Sequence, residues 1–360
     1  MVRHHTPPRL PIALDHNLFS RELSKAVYAL GLLEGSQKNL HNPTLLVSPL
    51  TAKEAEVSSK IEGTQSNAAD IFVYEASGES RHKDTAEVVN YRRAILAAQD
   101  SIEGERKITA HSIKALHSIL LKNVRHRGKV GEFRTDKVWI AEKYGDPIEK
   151  ALYIPPEAAH ISGYIENLIE YISSDTDDAL IQAGVAHYQF EAVHPFDDGN
   201  GRMGRLLIPL LLYQKKRITS PIIYLSGYFE AHRDEYIQTL HGVDQTGQLE
   251  PWLKFFFVAV VEQAAKTQKL IGDINGLHDS LKKSFGLIKS PYATRLIDYI
   301  FASPVFTIPG AVSALGASRL TCIRLLKKLV EDRIVTRMKA RRGHAMLYSF
   351  DPLIDLLDQS

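Results

Sequence analysis

Residues 194–205 read HPFDDGNGRMGR and lie between two apolar runs of helical spacing, 178–191 and 201–216. Their glycines, Gly199, Gly201 and Gly204, fit the G-x-G-x-x-G pattern of dinucleotide-binding folds. That reading needs a buried strand in front and a ribose-binding acid about 20 residues later. Neither is present. Pro195 stands where a central strand would run, and the offset lands on Ile222 and Ile223, with no acid before Glu230. The stretch is therefore a loop opening a helix, and the chain around it reads as mainly helical.

The same residues supply another chemistry. Gly199 and Gly201 let backbone approach a ligand, and the helix they open directs free N–H groups outward, which makes an anion site. Arg202 and Arg205, three apart, add two guanidinium forks suited to phosphate oxygens. Asp198 offers the hard oxygen that Mg²⁺ takes beside phosphates. His194 is a candidate general base near neutral pH. A base, a metal carboxylate, an anion nest and two arginines within twelve residues describe a phosphorus-transfer site.

With these residues in view, HPFDDGNGRMGR resembles the signature of the Fic (Fido-fold) family, H-P-F-x-[DE]-G-N-[GK]-R-x-x-R, at every specified position. The resemblance implies a Fic helical core with a β-hairpin flap. It implies His194 as the base and Asp198 as the Mg²⁺ ligand. Asn200 and the Gly199–Arg202 backbone would hold the α- and β-phosphates of ATP, Arg205 the γ-phosphate, and Met203 and Gly204 would complete the nucleotide-binding run. Phe196 would anchor the loop in the core. The implied activity is transfer of AMP to a Ser, Thr or Tyr hydroxyl of a target protein, and to the enzyme itself, with release of pyrophosphate. Phosphate or phosphocholine transfer on the same scaffold stays open as an alternative, as does a DNA-binding regulator with a nucleotide-sensing core.

A second motif bears on the first. Ser58-Ser-Lys-Ile-Glu62-Gly63 resembles the [ST]-x-x-x-E-[GN] inhibitory helix of that family. Ser58 and Glu62 are i, i+4 and share a helix face, and a carboxylate pairs bidentately with arginine. Glu62 on Arg205 would take the place of a γ-phosphate and leave the α-phosphate misaligned. Thr51-x-x-Glu54 reads as a capping box starting this helix at about 51, and Gly63 as its stop. Between Gly131 and Ile154, VWIA and ALYI around Gly145-Asp-Pro147 read as a hairpin, resembling the family's flap; its edge could hold a target segment extended. Tyr236 matches a region that lines the family's adenine pocket and equally suits a core position. His187 reads as structural.

Elsewhere, helical spacing marks 18–33 with Gly35 as its stop, 84–100, 109–122, 156–173, 229–241 and 249–270, after a Pro-rich extended arm. Thr307–Leu315, Ser318–Glu331 and short β-like runs near Val335 and Leu347 suggest a winged helix-turn-helix. Arg319, Arg324, Lys327 and Lys328 on its second helix, with Arg337, Lys339, Arg341 and Arg342 on the wing, make it a surface for DNA or for a protein. The expected organisation is an N-terminal helical region (1–105) with the inhibitory helix at about 51–63, a catalytic core (106–268), a connecting segment (269–285) and the winged helix (286–360). The net charge of +2 gives no global pull towards nucleic acid or membrane. One cysteine, Cys322, excludes an intramolecular disulfide and a thiolate metal cluster. The first residues show no apolar signal core, and a cytoplasmic protein is expected.

Overall fold

The computed structural model describes residues 4–38, 44–103, 107–141, 146–285, 290–339 and 346–360. From the N-terminus the helices are α1 (Ser20–Lys38), α2 (Thr44–Ile61), α3 (Ala68–Ser77), α4 (Thr85–Glu103) and α5 (Ala110–Leu120). A short pair, β1 (Ile140–Ala141) and β2 (Ala151–Tyr153), is followed by α6 (Ile161–Ser173), α7 (Ala179–Val193) and α8 (Asn200–Gln214). Then come α9 (Ser226–Ala231), α10 (Arg233–Thr246), α11 (Glu250–Phe285) and α12 (Pro291–Ala302). The chain closes with β3 (Val305–Thr307), α13 (Ile308–Leu315), α14 (Arg319–Glu331), β4 (Thr336–Lys339), β5 (Met346–Ser349) and α15 (Asp351–Asp358). None of the described helices is long and apolar enough to cross a membrane.

Two compact units divide the chain, one of Met1–Gly31 with Arg93–Gln263, the other of Leu32–Arg92 with Ala264–Ser360. All three boundaries fall inside helices, α1, α4 and α11, so neither unit is set off by a linker.

The first unit is built around α7. Every residue of this helix except Glu191 is buried, the signature of a helix enclosed on all sides. It packs on α8, buried from Arg202 to Leu212. On α11, the Trp252 indole donates to Gly184 O at 2.8 Å. Gly184 is required there, since a Cβ would lie 2.8 Å from Leu253 Cδ2. The N-terminal arm is strapped along this unit: His5 N donates to Ile154 O (2.8 Å), and the Asn167 amide brackets Leu10 through both its N–H and its carbonyl. The hairpin is small, with Ile140 opposite Tyr153 and Ala141 opposite Ala151 in antiparallel register; Gly145, expected in its turn, lies outside the described residues.

In the second unit α2 packs on α12 and α3, and α3 packs on β3 and α15. Arg92 ties these helices together. Its guanidinium pairs with Glu75 and donates to Ser48 Oγ (2.8 Å) and Thr51 Oγ1 (3.2 Å). The three C-terminal strands form an antiparallel sheet in the order β3-β5-β4, with Phe306 opposite Tyr348 and Met338 opposite Leu347.

Several sequence expectations change. Helix α2 starts at Thr44, so Thr51 is an interior residue and no cap. Its hydroxyl donates back to Val47 O (2.6 Å), and Glu54 accepts from Tyr91 OH (3.0 Å) instead of closing a box. Both residues are buried, and tertiary packing overrides the local capping signal. Gly35 stays helical within α1 and is absent from the positive-φ glycines, whereas Gly63 does end α2 with φ 94°. The helix read over 229–241 breaks at His232, and that over 249–270 continues to Phe285, so 269–285 is helical throughout. Helix α3 had no counterpart in the reading, although Asn67 and Asp70 make a complete capping box and Gly78 closes it with φ 71°.

Candidate active site

Helix α7 ends by placing His194 in a left-handed conformation, φ 49° and ψ 62°, uncommon for a residue with a Cβ. Its surroundings hold it there. His194 N donates to Phe190 O at 3.0 Å. Arg134, buried to 3% exposure, donates from Nε to His194 O (2.8 Å), from Nη2 to Pro156 O (2.6 Å) and from Nη1 to Asp136 O (3.1 Å). Arg134 N also donates to Pro195 O at 2.9 Å. One guanidinium thus clamps the two ends of the flap segment to the turn that presents the histidine. Burial lowers the Arg134 pKa, opposed by the nearby Asp197 carboxylate.

Behind the turn, Phe196 is fully buried and stacked on the His117 ring of α5, centroids 3.8 Å apart and planes 4° from parallel. His117 has both nitrogens engaged. Gly131 N donates to Nδ1 (2.9 Å), so the proton resides on Nε2, which donates to Asp198 O at 3.0 Å. Burial pushes the His117 pKa down to about 4, against a smaller upward pull from the Asp198 carbonyl. The ring is therefore a neutral strut between the base of the flap and the acidic loop. Asp197 points the other way, against Gly128; burial and the nearby Asp136 raise its pKa.

Helix α8 then opens without a side-chain cap. Gly199, at φ 75°, is its N-cap, and a Cβ there would press to 3.2 Å from Leu120 Cδ2. Asn200 turns its amide back, accepting from Phe196 N (2.9 Å) and donating to Phe196 O (2.8 Å). Asp198 Oδ1 accepts from Gly199 N at 2.7 Å. The first amide to return within the helix is Met203 N, to Gly199 O (3.1 Å), so those of Asn200, Gly201 and Arg202 have no intrahelical acceptor. Arg202 and Arg205 are both buried, and Arg202 Nη2 lies 4.0 Å from Asp198 Oδ1.

One turn and the first two turns of one helix thus gather His194, Asp198, Gly199, Asn200, Gly201, Arg202 and Arg205. Met203 points into the core and is fully buried. Gly204 faces α7, where a Cβ would lie 2.2 Å from Glu191 Oε1. Tyr236 is buried among aromatic side chains, stacked on Phe229 at 4.6 Å, its hydroxyl 2.8 Å from His187 Nε2. Burial pushes the His187 pKa down to about 3. Ser58, Glu62 and Gly63 belong to the other unit, where Ser58 is buried and Glu62 exposed at the end of α2. Among the described residues no three His, Cys, Asp or Glu are grouped to hold a metal ion. Arg134 and His117 are the residues the sequence reading passed over. Arg134 stands three after Gly131, and His117 is a histidine on the apolar face of Ile113, Leu116 and Leu120.

A histidine presented at a strained turn, a carboxylate and a helix start without a side-chain cap, with two buried arginines, thus share the loop that joins two packed core helices of a mainly helical protein. Residues 20–100 match the Fic/DOC family N-terminal model and residues 107–212 the Fic/DOC family model. The chain belongs to the Fic/DOC family. It is similar to the protein adenylyltransferase fic-1 of Caenorhabditis elegans, 26% identical over 181 residues, 49% of this chain and 32% of that protein. A probable protein adenylyltransferase of Aquifex aeolicus is 24% identical over 182 residues, 49% of this chain and 51% of its own. The chain thus spans between a third and a half of the length of these relatives. Among solved structures, a Fic family protein from Desulfovibrio desulfuricans G20 shares the fold with a TM-score of 0.59 at 17% identity, over 96% of this chain and 98% of that one. Fic-1 of C. elegans (residues 134–508) gives 0.54 at 21% identity, covering 73% and 75%.

Proposed function

We propose that this protein is an ATP-dependent protein adenylyltransferase. The observation that carries the reading is the single frame in which His194, Asp198, the uncapped start of α8 and Arg202 and Arg205 stand together; the names of the relatives point the same way. His194 takes the proton of a target Ser, Thr or Tyr hydroxyl. That oxygen bonds to the α-phosphorus of ATP, the bond from the α-phosphorus to the bridging oxygen breaks, and pyrophosphate leaves. The amides of α8 and Arg202 hold the α- and β-phosphates, and Arg205 the γ-phosphate. Asp198 is a lone carboxylate beside that anion site, the donor set that suits a Mg²⁺ ion held jointly with nucleotide phosphates and not by a protein cage. When bound, the ion neutralises phosphate charge. The target segment lies extended along the 131–154 flap, with self-modification as a side reaction; Tyr236, packed in an aromatic core, takes the structural of its two roles.

The reading includes self-inhibition by α2. Glu62, exposed at the end of a helix that Gly63 terminates, competes with the γ-phosphate for Arg205; the support is the Ser58-x-x-x-Glu62-Gly63 pattern. Intact-protein mass spectrometry after incubation with ATP and lysate proteins tests both parts. Glu62→Gly should raise the AMP adduct at least tenfold over wild type, and His194→Ala in that background should abolish it. An adduct with the mass of phosphate or phosphocholine would replace the assigned reaction, and undiminished labelling in His194→Ala would remove the assigned base.

A further inference from the structure

Helix α14 presents a face that nothing in the transferase reading uses. It is capped by Ser318, whose hydroxyl accepts from Thr321 N at 3.2 Å, and is seated by Cys322, Leu325, Leu326 and Leu329, all buried. The opposite side carries Arg319, Leu320, Ile323, Arg324 and Lys327, related by steps of three and four, so they form one face. All five are exposed, Leu320 to 78% and Ile323 to 40%. From Arg319 to Val330 the helix has no acid; Glu331 and Asp332 fall at its far end, where they pair with Lys327 (3.6 Å) and Lys328 (2.5 Å). Residues 316–339 hold seven lysines and arginines against two acids, a surplus of five where the whole chain has a surplus of two.

We propose that this face of α14 docks in the major groove of duplex DNA. A helix of 13 residues is about 20 Å long and 10–12 Å across, and the groove is about 12 Å wide. Arg319, Arg324 and Lys327 reach phosphates, which fixes register, while Leu320 and Ile323 lie between them, where an aliphatic side chain meets thymine methyl groups. The charge argues for a polyanion. The apolar content argues against a protein partner: two aliphatic side chains make a small patch beside the roughly 800 Å² that each side of a stable protein interface covers. The α14 face is a different surface from the proposed transferase site, and its binding to DNA does not depend on AMP transfer.

The test is fluorescence anisotropy of the full chain with a labelled mixed-sequence duplex of about 20 base pairs, titrated at several salt concentrations. Three neutralised phosphates give a slope of about −2.7 in log K against log salt, a loss of about 40-fold between 50 and 200 mM. Arg319→Glu/Arg324→Glu, at exposed positions that leave the packed face intact, should bring the slope to about −0.9 or abolish binding. Leu320→Ala should leave the slope unchanged. No binding at 50 mM salt, or a slope indifferent to the double reversal, would overturn the proposal. So would displacement by polyglutamate as readily as by unlabelled duplex, since that outcome marks a surface for acidic proteins.

Discussion

The His117 ring offers a way to test the site one hydrogen bond at a time. Its two nitrogens have different partners, Gly131 N on Nδ1 and Asp198 O on Nε2. Asparagine places a polar atom where Nδ1 stands, and glutamine places an N–H where Nε2 stands. His117→Asn therefore keeps the bond from Gly131 and releases the Asp198 carbonyl; His117→Gln does the converse. Each variant leaves one polar group without its partner, the buried Gly131 N–H or the part-buried Asp198 carbonyl, which costs up to about 1–3 kcal/mol. Each also loses the ring stacked at 3.8 Å on Phe196, worth about 0.5–1.5 kcal/mol. Both should thus be destabilised by about 1.5–4.5 kcal/mol in urea unfolding, and to a similar degree. Their transfer rates should differ. Freeing the Asp198 carbonyl lets the acidic loop shift against the start of α8, and a displacement of about 1 Å costs on the order of 100-fold in rate. The expected order of kcat for AMP transfer, assayed at a temperature where both variants are folded, is wild type, then Gln within a few fold, then Asn lower by one to two orders of magnitude. Equal rates in the two variants, or a faster Asn, would refute the strut as a positioning device.

Two further outcomes follow from buried charge and buried rings. Arg134→Met removes donors from four carbonyls at 2.6–3.4 Å and should lower unfolding stability by about 3–5 kcal/mol; Arg134→Lys, with a point charge in place of a planar fork, should recover less than half. His117 and His187 stay neutral in the fold, with pKa values pushed down to about 4 and about 3. The unfolded chain binds those two protons below about pH 6.5 and the folded chain does not, so stability is full above 6.5 and falls as the pH drops towards 4, by up to about 2.7 kcal/mol per pH unit. Stability that stays flat between pH 6.5 and 4.5 in urea titrations would contradict it.

What the sequence made legible was local. The loop between α7 and α8 was readable because Pro195 and three glycines forbid a strand there, and α13 and α14 because Thr307 and Ser318 are side-chain caps with apolar spacing behind them. Long-range bonds were not readable. Arg134 reaches His194 across 60 positions and His117 reaches Asp198 across 81, and neither residue type carries a local mark of such a role. The start of α2 was misplaced for the same reason. Thr51 and Glu54 have the letters of a capping box, but Arg92 and Tyr91 bind them from another helix. Packing of α2 on α12, where Ser48 Oγ donates to Ala302 O, also puts it in one compact unit with residues 264–360, a grouping that chain order conceals.

The three glycines of 199–204 show why a pattern can match while its fold does not. In a dinucleotide-binding unit the first glycine makes the turn, the second admits the pyrophosphate and the third lets helix approach strand. Here Gly199 does make a left-handed turn, at φ 75°, and Gly201 sits in the first turn of α8 among amides without intrahelical acceptors. Gly204, however, admits a neighbouring helix: a Cβ would meet Glu191 Oε1 at 2.2 Å and lie 3.3 Å from His187 Nδ1, both on α7. Close approach of something is all that glycine requires. Whether that is a strand or a helix is decided by the residues before the loop, and fourteen buried positions of α7 make it a helix. In the proposed reaction the chemistry falls to His194 and Asp198, and their placement depends on Arg134 and His117, which lie outside the pattern altogether.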